Sequence, residues 1–125
     1  MRNVITWFEI PAADIERAKA FYEAILDVSL DAIQDFGGFK MATFPRPENS
    51  SATTGTLVQH ETYTPSHQGS LLYFDGGKDL APILARVEGA GGKVLLEKRL
   101  ISPDVGYMAL FEDTEGNRMA LFNQP

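Results

Sequence analysis

Hydrophobic positions along this chain follow two rhythms, strand-like and helical, and the pair of rhythms occurs twice in the same order. Residues 4–10 are β-rich and apolar, which predicts a strand, and Pro11-Ala12-Ala13 closes it. Ile15, Ala18, Phe21, Tyr22, Ile25 and Leu26 then fall at helical spacing, predicting a helix with one buried face. Asp14 is placed to accept from a free amide at the helix start, and Glu16 suits the positive end of the helix dipole. The helix should end near Leu26 or Asp27. Residues 28–34 are a further strand candidate, Phe36-Gly37-Gly38 punctuates, and residues 39–44 form another, stopped by Pro45-Arg46-Pro47. Residues 48–54 are polar and read as a loop, followed by a short strand at 55–60.

Residues 61–69 contain Pro65 and small polar side chains, the composition of a linker. The pattern then restarts. Residues 70–75 are strand-like, Gly76-Gly77 turns the chain, and Asp79 can cap a second helix in which Leu80, Ile83, Leu84 and Val87 share a face. Pro82 is tolerated because first-turn residues need no intrahelical N–H partner. Gly91-Gly92 supplies the stop. Residues 93–99, 106–112 and 118–123 are three more strands, the last two joined by a turn at Asp113-Thr114-Glu115-Gly116. Placing Asp14-Ile15 over Asp79-Leu80 brings both helices and their preceding strands into register. The repeat is one of pattern, with little residue identity. The expectation is an α+β fold in a single domain over residues 1–125: two βαβββ modules, about 1–62 and about 68–125, forming a curved sheet around a central cavity. A lone four-stranded module cannot cover its own concave face, and a shared cavity between two suits a small molecule.

Composition narrows the partners more than the fold. With 44% hydrophobic and 22% charged residues, the 125-residue chain can bury an ordinary core. Its formal charge of −6 repels nucleic acid and anionic membranes, so neither is expected as a partner. No cysteine is present, which removes disulfides, thiolate metal sites and a cysteine nucleophile together. No apolar run approaches the roughly 18 residues that span a bilayer, and Met1-Arg2-Asn3-Val4 leads straight into a strand rather than an apolar signal segment. A cytoplasmic location is the expectation.

Several motifs in order carry a resemblance: Phe8-Glu9-Ile10-Pro11 with Asp14 and residues 17–22, Gly91-Gly92-Lys93-Val94 after the second helix, and the closing run at residues 113–121. Together they resemble the vicinal oxygen chelate superfamily, which includes glyoxalase I, the bleomycin-resistance proteins and the extradiol dioxygenases. The resemblance spans nearly the whole chain. It implies paired βαβββ modules, a cavity lined by the sheet, and often a homodimer. It also implies a divalent metal held by His, Glu or Gln side chains at four strand positions. Such a site needs imidazole or carboxylate donors converging on one point. Here the first position holds Trp7, whose indole nitrogen only donates hydrogen bonds. The second offers Thr56, Leu57 or Val58; the third Leu71, or Ser70 or Leu72; the fourth Ala120, where glyoxalase I has glutamate. None is a histidine or carboxylate, so no metal ligands are assigned.

Other residues carry candidate chemistry, each with a plainer reading beside it. Glu9 shares the strand face of Trp7. It is a candidate catalytic base or ligand anchor, or else an ion-pair partner of Lys40, Arg99 or Arg118 that braces the sheet. Trp7, Tyr73, Tyr107 and Phe122 are strand aromatics that would line a flat ligand pocket or simply fill the core. Trp7 and Tyr73 occupy corresponding opening strands, which favours those two. Arg118 alternates with Ala120 and Phe122, to meet an anionic ligand or to sit solvated against the sheet. His60, His67 and Glu61 would make an improvised metal or acid–base cluster, or are solvated at a strand end and in the linker.

The leading expectation is a small-molecule-binding protein of the glyoxalase and bleomycin-resistance type, without cofactor, holding an apolar or aromatic ligand at Trp7, Glu9, Tyr73, Tyr107, Arg118 and Phe122. The first alternative is a metal-dependent lyase, isomerase or dioxygenase of the same superfamily with non-standard ligands, in which case a divalent metal is the cofactor. The second is a structural or interaction dimer with no ligand.

Overall fold

A computed structural model of the chain describes residues 4–46, 48 and 51–125. Met1 to Asn3, Pro47, Asn49 and Ser50 lie outside the described residues, and with them the first residues of the expected N-terminal lead, one of the stopping prolines and part of the polar loop. The elements are β1 (Trp7–Pro11), α1 (Ile15–Leu26), β2 (Gln34–Phe36), β3 (Phe39–Thr43), β4 (Thr54–Gln59), β5 (Tyr73–Asp75), α2 (Ala81–Val87), β6 (Lys93–Ser102), β7 (Gly106–Glu112) and β8 (Arg118–Asn123). They form two four-stranded sheets ordered β1-β4-β3-β2 and β5-β8-β7-β6, so the βαβββ unit does occur twice. In each, the opening strand runs parallel to the closing strand and the rest are antiparallel. The sheets remain two open sheets rather than one closed one.

Both helices pack on one side. Ile15, Ala18, Phe21, Tyr22 and Ile25 are the buried stripe of α1, and Leu84 and Val87 that of α2. They meet Ile10, Ala42 and Leu57 from the first sheet and Ala109, Phe111 and Leu121 from the second in a single core. Tyr22 and Phe21 are its largest side chains; burying a ring of this size stabilises by about 2–3 kcal/mol. Tyr22 touches Phe44 of module one and Phe74 of module two at ring distances of 5.6 and 5.5 Å, so the core bridges the modules.

Strand alternation then assigns the opposite, helix-free face. Because Ile10, Leu57, Phe111 and Leu121 face the helices, Glu9, Thr56, Val58, Leu110, Arg118, Ala120 and Phe122 face away from them.

Several local expectations shift. Asp14 caps α1, its carboxylate accepting from the Arg17 amide at 3.2 Å. Asp79 does not occupy the cap of α2: Leu80 does, without a side-chain bond, and Asp79 accepts from the Ala81 amide one position further out. Residues 28–33 form no strand, because their polar groups are claimed elsewhere. The Leu30 amide donates to the Glu23 carboxylate, the Asp31 amide donates to the Thr43 carbonyl, and only Gln34–Phe36 pairs in the sheet. Val4 to Thr6 and Ser70 to Leu72 likewise precede the ladders rather than joining them. β6 runs on to Ser102 through three register shifts. Gly91 ends the second helical segment at φ +104, where a Cβ would be strained.

Candidate functional site

The junction between modules is built first by the turn after β7. Asp113 is buried and accepts through one oxygen from the amides of Glu115 and Asn117, which fixes the turn. Its other oxygen accepts from the Tyr22 hydroxyl at 2.6 Å and from the Asn117 side chain at 2.9 Å. Asn117 also donates to the Pro11 carbonyl of β1 at 2.7 Å. Burial first, and then the Asp113 carboxylate, push the Tyr22 hydroxyl well above its ordinary pKa, so it stays a neutral donor. Glu115 has a fully buried side chain, accepts from the Asp14 amide and pairs with Arg17 at 2.8 Å. Burial pushes its pKa up, but Arg17, Thr114 and the Asp14 amide together outweigh it and hold it below the usual range. The sequence shows these residues only as a turn signal; their role needs the first helix beside them.

The helix-free face beside this junction carries the expected ligand residues. Trp7 is 44% and Tyr73 52% exposed, so neither is spent on core packing. Phe8 and Phe74, the residues after them, turn into the core and meet edge-on at 6.4 Å. The Gln59 side chain accepts from the Ile15 amide as the Asn123 side chain does from the Leu80 amide, which aligns β4 with β8 and makes Tyr73, paired with Ala120, the counterpart of Glu9, paired with Thr56. Leu71, two residues before Tyr73 as Trp7 is before Glu9, is the structural counterpart of Trp7. Asp75, paired with Phe122, falls at the position of Pro11, paired with Val58.

Glu9 accepts from the Tyr63 hydroxyl at 2.5 Å and weakly from the Trp7 indole at 3.4 Å. The expected brace to Lys40, Arg99 or Arg118 does not form: among the described residues Glu9 has no ion pair. Tyr63 comes from the linker, which folds back over the first sheet because its ring packs edge-on against Phe39 and His60. The hydrogen bond to Glu9, with burial and the carboxylate charge behind it, raises the Tyr63 pKa.

Arg118 and Phe122 alternate on β8 either side of Ala120, which pairs with Tyr73. A cleft of about 210 Å³ between the modules is lined by Glu9, Ser70, Leu72 and Arg118 among others. A larger cavity of about 870 Å³ is lined by Tyr73, Phe122, Ile101 and Lys78 with the last residues of the chain. Tyr107 joins neither. It pairs with Asn123 on the helix side of β7, packs against the core and carries the Lys98 ammonium 4.6 Å above its ring. The placement of Tyr107 in the ligand set is thus corrected by strand alternation.

His60 stacks flat on Phe39 at 3.8 Å and bonds Thr62, whereas His67 bonds Glu112 at 2.7 Å. The two are engaged separately, and no cluster with Glu61 forms. At the positions where the resemblance puts the superfamily's metal donors stand the Trp7 indole, a buried Thr56 hydroxyl that donates to the Leu57 carbonyl, the Leu71 side chain and the Ala120 methyl. This donor set does not fit a divalent ion. Among the described residues no three His, Asp or Glu side chains are grouped to hold a metal, and no helix is long and apolar enough to cross a membrane.

Paired βαβββ modules with a ligand-accessible sheet face define a class of small α+β domains. A family model described as the Glyoxalase/Bleomycin resistance protein/Dioxygenase superfamily matches residues 4–121, and the chain belongs to that superfamily. A "Glyoxylase-like domain-containing protein" of Didymella fabae is 32% identical over 127 residues, covering 100% of this chain and 97% of that one. A glyoxalase I variant from Zea mays superposes with a TM-score of 0.70 at 19% identity over 94% of this chain, which spans only 44% of the maize chain. TnmS3, an antibiotic binding protein from Streptomyces sp. CB03234, superposes with a TM-score of 0.67 at 24% identity, covering 99% and 98% of the two chains. At these identities the two structures speak for the fold.

Proposed function

We propose that this protein binds a small apolar or aromatic molecule on the helix-free face of its sheets, without a metal. The observation that carries the reading is a set of strand aromatics left open to solvent: Trp7, half exposed on the first sheet, and Tyr73, half exposed on the second and lining one cavity with Phe122. Aromatic faces left open to solvent in a domain with an otherwise complete core are suited to stacking on a flat ligand. The larger cavity beside Tyr73 and Phe122 has room for a ring system. The antibiotic-binding neighbour supports the same use of the fold. Glu9, held by Tyr63 and Trp7, is the polar anchor of this face.

A homodimeric, cytoplasmic form belongs to the same reading. Exposed Leu100, Ile101 and Val105 supply apolar surface for a second copy.

Elemental analysis of protein purified with Ni, Zn, Fe and Mn offered should find no stoichiometric metal. Emission from Trp7, the single tryptophan, should respond to small aromatic compounds. One tightly held equivalent of metal overturns the metal-free reading, and an indole silent to every aromatic tested overturns the ligand reading.

A further inference from the structure

Arg118 is a cation placed between two carboxylates and paired with neither. Glu112 stands directly across the ladder from it, yet Glu112 bonds His67 at 2.7 Å. Glu9 lines the same cleft, yet Glu9 is engaged by Tyr63 and Trp7. The guanidinium has five N–H donors. One donates to the Gly69 carbonyl at a long 3.3 Å, and the Nε–H is buried with no partner. A buried N–H left without an acceptor costs about 1–3 kcal/mol, a cost that an arriving acceptor relieves. The Nε and Nη donors form a planar fork, which matches the two oxygens of a carboxylate better than any single-oxygen acceptor.

We propose that Arg118 is the docking point for the carboxylate of the ligand, which makes the preferred ligands small aromatic acids. The inference rests on the proposed binding role and specifies its chemistry. The geometry is that of one strand face. Arg118 precedes Ala120 by two residues, about 7 Å along the strand, and Tyr73 lies beside Ala120 with Phe122 beyond. Arg118 lines the 210 Å³ cleft, and the same face of β8 leads from it past Ala120, with Tyr73 alongside, to Phe122 and the larger cavity, so a ring carried by the carboxylate has an aromatic face within reach. The chain's charge of −6 repels anions at long range, so an acid is retained only where a local cation with open donors meets it.

The test titrates benzoate and its neutral isostere benzamide into the protein, following Trp7 emission and the 15N-detected Nε–H resonance of Arg118. Benzoate should bind roughly ten-fold tighter than benzamide and shift the Arg118 Nε–H signal, as expected for a charge-assisted forked pair. Arg118→Gln should erase that preference by weakening benzoate far more than benzamide, and Arg118→Lys should keep part of it, with thermal melts showing that both variants fold. Equal binding of the two probes, or a benzoate preference that survives Arg118→Gln, overturns the inference and leaves the ligand reading standing. An Nε–H signal unmoved at saturating benzoate also overturns it. If neither probe moves either signal, both readings fall together.

Discussion

The two modules share strand order and register, yet they present different faces to a ligand. In module one, β4 opens with Thr54-Gly55-Thr56, all buried, and the acid Glu9 is held from above by a linker tyrosine. In module two the matching strand carries Ala120 and Phe122, and Tyr73, at the position of Glu9, is left open. The first face is polar and pinned; the second is apolar and holds the larger cavity. A duplicated scaffold fixes where side chains point, and the few residues at equivalent register decide what each half can do.

The sharpest way to break the comparison is at one register position. Phe8 pairs with Gly55 in module one, two residues before Ile10–Leu57, the pair that Phe74–Leu121 matches in module two; the residue at the Gly55 position there is Met119. A Cβ at Gly55 would collide with the Phe8 carbonyl oxygen and stand 2.5 Å from its ring, so backbone must move. Gly55→Ala should destabilise by about 3 kcal/mol or more, lowering the thermal midpoint by roughly 10 °C in calorimetry. A variant that melts like the parent would mean that the Gly55 position accepts a side chain as the Met119 position does.

A smaller effect sharpens what the modules share. Glu115 has its folded pKa depressed by Arg17, Thr114 and the Asp14 amide against the cost of burial. Its contribution is therefore fully present above the unfolded value near 4.5 and is lost as pH falls through the lower folded value. Urea unfolding between pH 6 and about pH 3 should show stability falling in that acid window, and the fall should be shallower in Glu115→Gln. Because the pair ties α1 to the β7–β8 turn, the transition should remain a single one at every pH.

The smallest effect concerns the pinned acid alone. Glu9→Gln removes the carboxylate that raises Tyr63, so the Tyr63 phenol should titrate closer to its ordinary value near 10, followed by 13C NMR of labelled tyrosine. Asp75→Asn, which removes a carboxylate from the opening strand of module two, should leave the Tyr63 titration in place.

The architecture was legible because periodicity is local: the α1 stripe from Ile15 to Ile25 and the second set at Leu80, Leu84 and Val87 report burial directly. Boundaries failed where side chains compete for backbone groups, as Glu23 does for the Leu30 amide. The site was half legible. Strand alternation placed Trp7 and Glu9 together and put Phe122 beside Arg118 on β8. The same rule, applied with the register in hand, removes Tyr107. Tyr63 was invisible because its partner is 54 residues away in the sequence, and no local pattern marks a linker side chain that folds back.

The Asp113–Asn117 turn has a consequence for the order of events during synthesis. The Asp14 amide, the Arg17 guanidinium, the Tyr22 hydroxyl and the Pro11 carbonyl all find their partners in residues 113–117. A nascent chain that has made only the first module holds these groups open. Its helix can form and collapse against its strands, but it cannot lock until the closing turn leaves the ribosome. The first module is thus obliged to wait for the closing turn of the second, and a translational pause between the modules would prolong exposure of a half-built core rather than yield a finished one.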